Sequence, residues 1–312
     1  MLEMLSFIQQ LIILYSIALV GYAAKKFGII DDTADKALTN IILYITLPAL
    51  IVFSMDFPFS FSFLKNFYTL IFLSIYILVL ACILAFFMAR QNNLPEDKGG
   101  VYQSLIIFGN QGFLGYALCF SLFSKEGVMY ASVFNLFFLF LIWTYGVYLI
   151  AKEQLTFSWR ILILNPGVLA TSFGLLLFLM PFKLPLTISK FLENLGTPTT
   201  PLSMLLIGSL IGNLKKDVLL KLCKDKHLWQ AVFAKLIIVP LLPFMLIFFN
   251  IKFTLLAIAV ILTAMPSAPT TAIFAKKYGS DTYFGSIGIC VSTLLSLLSL
   301  PLLYWLLNIL AK

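Results

Sequence analysis

Two stretches of polar and helix-breaking residues interrupt long apolar runs, at corresponding places in the two halves of the chain. The first covers residues 109–115 and reads Gly-Asn-Gln-Gly-Phe-Leu-Gly, and the second covers residues 264–271 and reads Ala-Met-Pro-Ser-Ala-Pro-Thr-Thr. A half-helix that begins at such a break has free N–H groups and the positive end of the helix dipole, which suit a carboxylate. A bilayer supplies no water to these groups, so a break persists only where protein or a wet cavity provides partners. Paired breaks of this kind indicate the substrate site of a secondary transporter.

The breaks carry side chains and backbone that are able to contact a substrate. The residues predicted to bind it are Asn110, Gln111, Gly112, Ser267, Thr270 and Thr271. A second interpretation stays open, in which the amides satisfy the freed backbone of their own kink and the hydroxyls bond back to their own helix. The residues predicted to break the helices are Gly109, Gly115, Pro266 and Pro269, and the two prolines are expected to make no direct ligand contact.

A second pair of apolar segments places a proline close to hydroxyl side chains. Thr46 precedes Pro48 by two residues, and Thr200 directly precedes Pro201. Because proline removes a backbone donor, both are predicted to break or kink their helices. The preferred interpretation is that the kinked helices pack against the two breaks. Thr46 and Thr200 are kept as weaker substrate-binding candidates, together with Asn40.

Lys235 is the one basic residue clearly inside an apolar segment. Charges within a membrane are costly and tend to mark function, which makes Lys235 a candidate for attracting an anion. Extension of its side chain toward the membrane surface is the alternative. No Asp or Glu lies near the middle of an apolar segment, so ion coupling through a buried carboxylate is disfavoured. The sequence predicts no catalytic residue, no metal site and no cofactor.

The composition excludes a water-soluble globule. Hydrophobic residues make up 61% of the chain and charged residues 11%, whereas an average soluble domain has about 25% charged residues. Membrane lipid is therefore an expected partner. The formal net charge of +8 has the sign that a nucleic-acid-binding protein needs, but the lysines lie between apolar runs, which indicates a cytoplasmic membrane face and no nucleic-acid partner.

Ten apolar segments are long enough to span a bilayer. They cover residues 5–24, 36–55, 67–90, 100–123, 128–151, 161–180, 191–213, 228–250, 253–276 and 282–310. Fourteen Lys and Arg residues fall on one side of the resulting bundle and six on the other. The excess places the loops after odd-numbered segments in the cytoplasm and both termini outside. The expected protein is an all-α, multi-pass protein of a bacterial cell membrane.

The two halves correspond to each other in the positions of their breaks and prolines. Pro48 and Pro201 occupy equivalent second and seventh segments, and the two breaks occupy the fourth and ninth. Five segments per half is an odd number, so the halves must insert in opposite orientations, as in many secondary transporters. The chain is therefore predicted to be a single transporter domain, with one repeat at residues 1–155 and a second at residues 156–312.

Several motifs resemble the auxin efflux carrier family, which includes PIN-type plant carriers and bacterial malonate and malate permeases. They are the two breaks, Ala275–Gly279 with Asp281, and Ser292–Ser296 with Leu300 and Pro301. Tyr116 and Ala117 stand where the family usually has a proline after the first break, so the glycines must supply that break here. The resemblance covers essentially the whole chain. It implies that the fourth and ninth helices cross at unwound centres near mid-membrane.

The predicted function is transport of small organic anions by alternating access. The family resemblance implies dicarboxylates or auxin-like carboxylates as substrates. A channel-like or sensory protein on a transporter fold is the alternative, and an intramembrane enzyme is disfavoured because no catalytic motif is present. A second copy of the chain, forming a homodimer, is the remaining candidate partner.

Overall fold

The computed structural model describes residues 2–56, 60–151, 164–180, 183–212, 224–249 and 251–311. In these ranges the chain is helical and forms no β-strand. The basic residues predicted to form a cytoplasmic loop run from Lys215 to Lys226, and this loop lies outside the described residues as far as Cys223. The junction between the two proposed repeats and residues 161–163 of the sixth segment also lie outside them. The α-helices are Leu2–Lys26, Asp32–Ile41, Leu47–Met55, Phe61–Gln91, Glu96–Ile107, Tyr116–Leu141, Val147–Ala151, Pro166–Leu179, Leu186–Gly196, Thr199–Gly212, Lys226–Phe233, Val239–Leu241, Phe253–Thr263, Thr270–Lys277 and Thr282–Leu310.

Wider or tighter turns join several of these helices. The π-helical turns are Ile42–Thr46, Gln111–Gly115, Ile142–Gly146 and Ala234–Ile238, and a 3₁₀ helix covers Leu242–Phe249. The first and last of the π-helical turns each end two residues before a proline, Pro48 and Pro240. Proline has no N–H and its ring crowds the carbonyl four residues earlier. Widening the preceding turn relieves that crowding, which explains why both turns lie where they do.

Seven of the described helical segments are long and apolar enough to cross a membrane. They are Ile8–Lys26, Asp32–Met55, Phe61–Gln91, Gln111–Ala151, Leu186–Gly212, Lys226–Phe249 and Thr282–Leu310, and two shorter apolar helices are Pro166–Leu179 and Phe253–Thr263. The predicted all-α membrane class is confirmed. Gln111–Ala151 has 41 residues, which would extend about 60 Å if straight, twice the hydrocarbon thickness of a bilayer.

This 41-residue segment is interrupted at Ser124, which has φ 52° and ψ −141°. A side chain on Gly127 would collide with the carbonyl of Cys119, so the helical stretches on either side of Ser124 pack directly against each other. Ser124 lies between the fourth and fifth segments predicted from the sequence.

One compact unit comprises Met1–Leu70, Gly112–Leu136 and Trp159–Asn213. Within it, helix Leu2–Lys26 packs tightly along helix Thr199–Gly212, because Gly21 and Gly208 let the two backbones approach. Small residues serve this purpose commonly in membrane helices. Near one end of this pair, Asp35 is buried, with its carboxylate 2.8 Å from Lys25 Nζ and 2.5 Å from Ser209 Oγ.

The second compact unit comprises Ile71–Gln111, Phe137–Ser158 and Leu214–Lys312. Its core includes the half-helix Glu96–Ile107 and helices from the C-terminal part of the chain. Lys98 forms an ion pair with Asp225 and lies 4.4 Å from the centroid of the Phe284 ring, which ties three helices together. Each unit combines segments from both halves of the sequence, so neither unit corresponds to one proposed repeat.

Candidate functional site

The first break covers residues 108–110. Helix Glu96–Ile107 ends there because Phe108 is extended, with φ −94° and ψ 117°. The chain resumes as the π-helical turn Gln111–Gly115. The fourth apolar segment is therefore broken even though Tyr116 and Ala117 stand where the resembled family usually has a proline. Only Gly109 of the three glycines lies in the break, and the structure places Gly112 and Gly115 in the turn that follows.

The second break covers residues 264–269, between helices Phe253–Thr263 and Thr270–Lys277. Pro266 lies in its non-helical centre, and Pro269 occupies the cap position of the second half-helix. Both prolines are thus where the sequence predicted a break. The half-helix Thr270–Lys277 directs its free N–H groups and the positive end of its dipole toward this break.

Backbone hydrogen bonds join the two breaks directly. The Asn110 N–H donates to the Pro266 carbonyl at 2.6 Å, and the Ala268 N–H donates to the Phe108 carbonyl at 2.9 Å. These bonds form an antiparallel bridge between Gly109 and Ser267. Unwound backbone at membrane depth must find its partners in protein or water, and here each break supplies partners to the other.

Side chains satisfy further carbonyls that the first break frees. Ser267 Oγ donates to the Leu105 carbonyl at 2.8 Å, and Lys235 Nζ lies 3.5 Å from the Ile107 carbonyl. Ser292 Oγ accepts from the Ser267 N–H at 3.1 Å. Sequence reasoning did not assign Ser292 to this site, although it lies in one of the motifs that carry the family resemblance.

Two polar atoms near the breaks have no hydrogen-bond partner in the described part of the chain. They are Gln111 Oε1 and Thr270 Oγ1, and both are buried. An unpaired buried polar atom is costly, so each such atom calls for an explanation, of which a ligand or water is one. Thr271 differs, because its hydroxyl hydrogen-bonds Ser104 Oγ at 2.9 Å. Ser104 was not predicted as a site residue, since a serine in an apolar run gives no signal of its own.

Lys235 is 1% exposed. Burial excludes extension of its side chain to the membrane surface, the alternative that the sequence left open. Its ammonium borders Gly109, where a Cβ atom would lie 3.0 Å from Nζ and 3.2 Å from the Met265 carbonyl oxygen. None of the ion pairs among the described residues includes Lys235. In those same residues no group of three or more His, Cys, Asp or Glu side chains could hold a metal ion.

Thr46 and Thr200 belong to the first compact unit, whereas Asn110, Gln111, Lys235 and Ser267 belong to the second. The hydroxyls of Thr46 and Thr200 are buried, and the structure shows no partner for either in the residues it describes. The same holds for the neighbouring hydroxyls of Thr199 and Ser203.

The two prolines of these segments lie differently. Pro48 follows a π-helical turn and opens helix Leu47–Met55. Pro201 lies in the first turn of helix Thr199–Gly212, where its missing N–H breaks no helical bond. The interruption of that span is one turn earlier, at residues 197–198.

A separate groove lies elsewhere in the second unit. It has a volume of about 310 Å³ and is lined mainly by apolar side chains, among them Trp229, Phe233, Leu295 and Leu302. No residue of either break lines it. Its lining is apolar apart from the Trp229 indole and the Ser299 hydroxyl and includes no charged side chain, so the joined breaks are the stronger candidate site for a small polar substrate.

Comparison with known proteins places the chain among transporters. The sequence model of a family described as membrane transport protein matches residues 6–156 and again residues 152–304. An uncharacterized transporter of Methanocaldococcus jannaschii is 27% identical over 306 residues, which cover 95% of this chain and 97% of the relative. An uncharacterized transporter of Methanothermobacter thermautotrophicus is 25% identical over 302 residues, covering 92% of this chain and 93% of the relative.

Proposed function

Because the chain belongs to the membrane transport protein family, which is the auxin efflux carrier family that its motifs resemble, we propose that it is a secondary carrier of small organic anions. It works by alternating access, with the substrate at the two joined breaks. The observation that carries this proposal is the convergence of one buried ammonium, a half-helix N-terminus and two unpaired polar atoms on these breaks.

The electrostatics of the site favour an anion. In its protonated form Lys235 brings a positive charge to the site, and helix Thr270–Lys277 contributes the positive end of its dipole. No described carboxylate pairs with Lys235. Two opposite charges 4 Å apart attract by about 4 kcal/mol at an effective dielectric constant near 20. A cation at the same place would be repelled by a similar amount, so the proposed substrate is a small mono- or dicarboxylate.

The ten-span inverted-repeat architecture is part of this proposal. The seven long and two short apolar helices support it, as does the reversal at Ser124 within the 41-residue segment. The two consecutive matches of the family model are consistent with two repeats. The excess of Lys and Arg in alternate loops supports an orientation with both termini outside.

The decisive experiment measures radiolabelled carboxylate uptake by proteoliposomes. Asn110→Ala combined with Gln111→Ala should lower the flux at least tenfold, because losing hydrogen bonds to a charged ligand costs about 1.5–3 kcal/mol each. The matched control is Gln91→Ala combined with Asn92→Ala, an adjacent pair of the same side-chain types at the end of helix Phe61–Gln91, away from the breaks. The control should transport normally.

Three outcomes contradict the proposal. Normal flux in the Asn110/Gln111 double variant would show that the substrate binds elsewhere. Flux that does not saturate and shows no counterflow would indicate a channel. Failure of the wild-type protein to move any carboxylate, with robust movement of an organic cation, would overturn the electrostatic argument.

A further inference from the structure

The Lys235 ammonium lies beside the carbonyl end of one half-helix and borders the first break at Gly109. Helix Glu96–Ile107 ends at Ile107, whose carbonyl is 3.5 Å from Lys235 Nζ. Helix Phe253–Thr263 ends two residues before Met265, whose carbonyl oxygen borders the same side of Gly109 as the ammonium does. A helix C-terminus carries about half a negative charge. The ammonium therefore lies against the partial negative charge of one helix end, borders Gly109 as the Met265 carbonyl does, and forms no ion pair with a described carboxylate.

Two features of the backbone allow Lys235 to reach this place. The lysine lies in the π-helical turn Ala234–Ile238, which precedes Pro240, and such turns occur often at functional sites. Gly109 has no side chain, and a Cβ there would lie only 3.0 Å from Nζ. Both features serve the approach of the ammonium to the first break.

We propose that Lys235 is a resident cation of the transport site, tethered to the protein, and that it does the work of a co-bound monovalent cation such as Na⁺. As such a cation would, the ammonium bridges the freed Ile107 carbonyl and the carboxylate of the substrate. The expected effects on flux rest on the proposed function, but the presence of the cation site is testable without transport. Its first consequence is that wild-type flux is the same in Na⁺ and in choline buffer.

The side chain of Lys235 suggests its own chemical probe. Lys235→Ala removes Cγ, Cδ, Cε and Nζ, and these atoms together make n-propylammonium. If the vacated space is a cation site, n-propylammonium should fill it, whereas the similarly sized but neutral 1-propanol should not. Lys235→Met removes the charge but fills the space with an apolar chain, so this variant should not bind n-propylammonium.

The first measurement is thermal unfolding of the purified proteins in mild detergent. Lys235→Ala should unfold at a lower temperature than wild type in choline buffer, and n-propylammonium should raise its unfolding temperature in a saturable way. 1-Propanol should not do so, and neither Lys235→Met nor wild type should respond to the amine. An identical response of all three proteins to n-propylammonium would overturn the inference, whether or not a substrate is known.

The second measurement is carboxylate flux in proteoliposomes. Lys235→Ala should lose tenfold or more of the flux, since bonds between charged groups are worth that factor or more, and n-propylammonium should restore a large part of it. Full flux in Lys235→Ala, or a need of the wild type for Na⁺, would contradict the resident cation. If Lys235→Ala cannot be purified, two measurements still decide the question. Wild-type flux should be the same in Na⁺ and in choline buffer, and Lys235→Met should lose flux because it lacks the charge. Absence of carboxylate flux in wild type would instead sink the proposed function and leave the thermal result standing.

Discussion

Ser267→Ala is the most direct test of how the two breaks are held together. The Ser267 hydroxyl donates to the Leu105 carbonyl at 2.8 Å, and the serine is 1% exposed. In a continuous helix the Leu105 carbonyl would accept from the amide of Gly109, but Gly109 lies in the first break. The substitution therefore leaves a buried carbonyl without the donor that compensates for the break.

The size of the effect follows from that geometry. Leaving a buried acceptor unsatisfied costs about 1–3 kcal/mol in soluble proteins. Hydrogen bonds between membrane helices are worth about 0.6 kcal/mol on average and about 1.7 kcal/mol at most. We expect Ser267→Ala to lower the free energy of unfolding by about 1 kcal/mol, which corresponds to a fall of roughly 2 °C in the unfolding temperature.

Ser299→Ala is the matched control for this measurement. Ser299 is also a buried serine of the second unit, but its hydroxyl has no partner in the described part of the chain. Its removal should leave stability unchanged or slightly raised, because an unpaired polar atom is lost. Thermal unfolding of both variants in the same detergent gives the comparison. Equal stability of Ser267→Ala and Ser299→Ala would refute the role assigned to the bond between Ser267 and Leu105.

Two further predictions concern the glycines and the membrane orientation. Gly109→Ala should lower carboxylate flux severalfold, because its Cβ would lie 3.0 Å from Lys235 Nζ, whereas Gly99→Ala should be tolerated because the nearest atom to its Cβ, Leu94 Cβ, lies 3.9 Å away. Equal flux in the two variants would contradict the close packing at Gly109. An impermeant thiol reagent should label Cys223 only after cells are permeabilised, because the surrounding lysines place this loop in the cytoplasm. Labelling of Cys223 in intact cells would overturn the orientation with both termini outside.

Local residue chemistry was enough to locate both breaks. Proline removes a backbone donor, and glycine and amides weaken a helix within an apolar run, so residues 109 and 266 could be predicted to interrupt their spans before any coordinates were known. The all-α membrane class followed equally directly, because a chain with 61% hydrophobic residues can satisfy its backbone in lipid only through helices or closed barrels.

Helix ends were less predictable than helix breaks. Gly112 and Gly115 belong to a π-helical turn, and Pro201 lies in the first turn of its helix. Whether a glycine or proline interrupts a helix depends on its distance from the helix end, because only interior N–H groups are needed for helical bonds. That distance is set by where the neighbouring residues pack, which residue type alone does not reveal.

The partners of the site residues were decided by tertiary structure alone. Ser267 bonds Leu105 and Ser292, and Thr271 bonds Ser104, across separations of 25 to 167 residues. A serine in an apolar run can equally bond back to its own helix, so the sequence left those roles open. For Lys235 the sequence likewise left two alternatives, a place at the site or extension to the membrane surface. Packing decided between them, because the space beside Gly109 admits the ammonium and the side chain is buried.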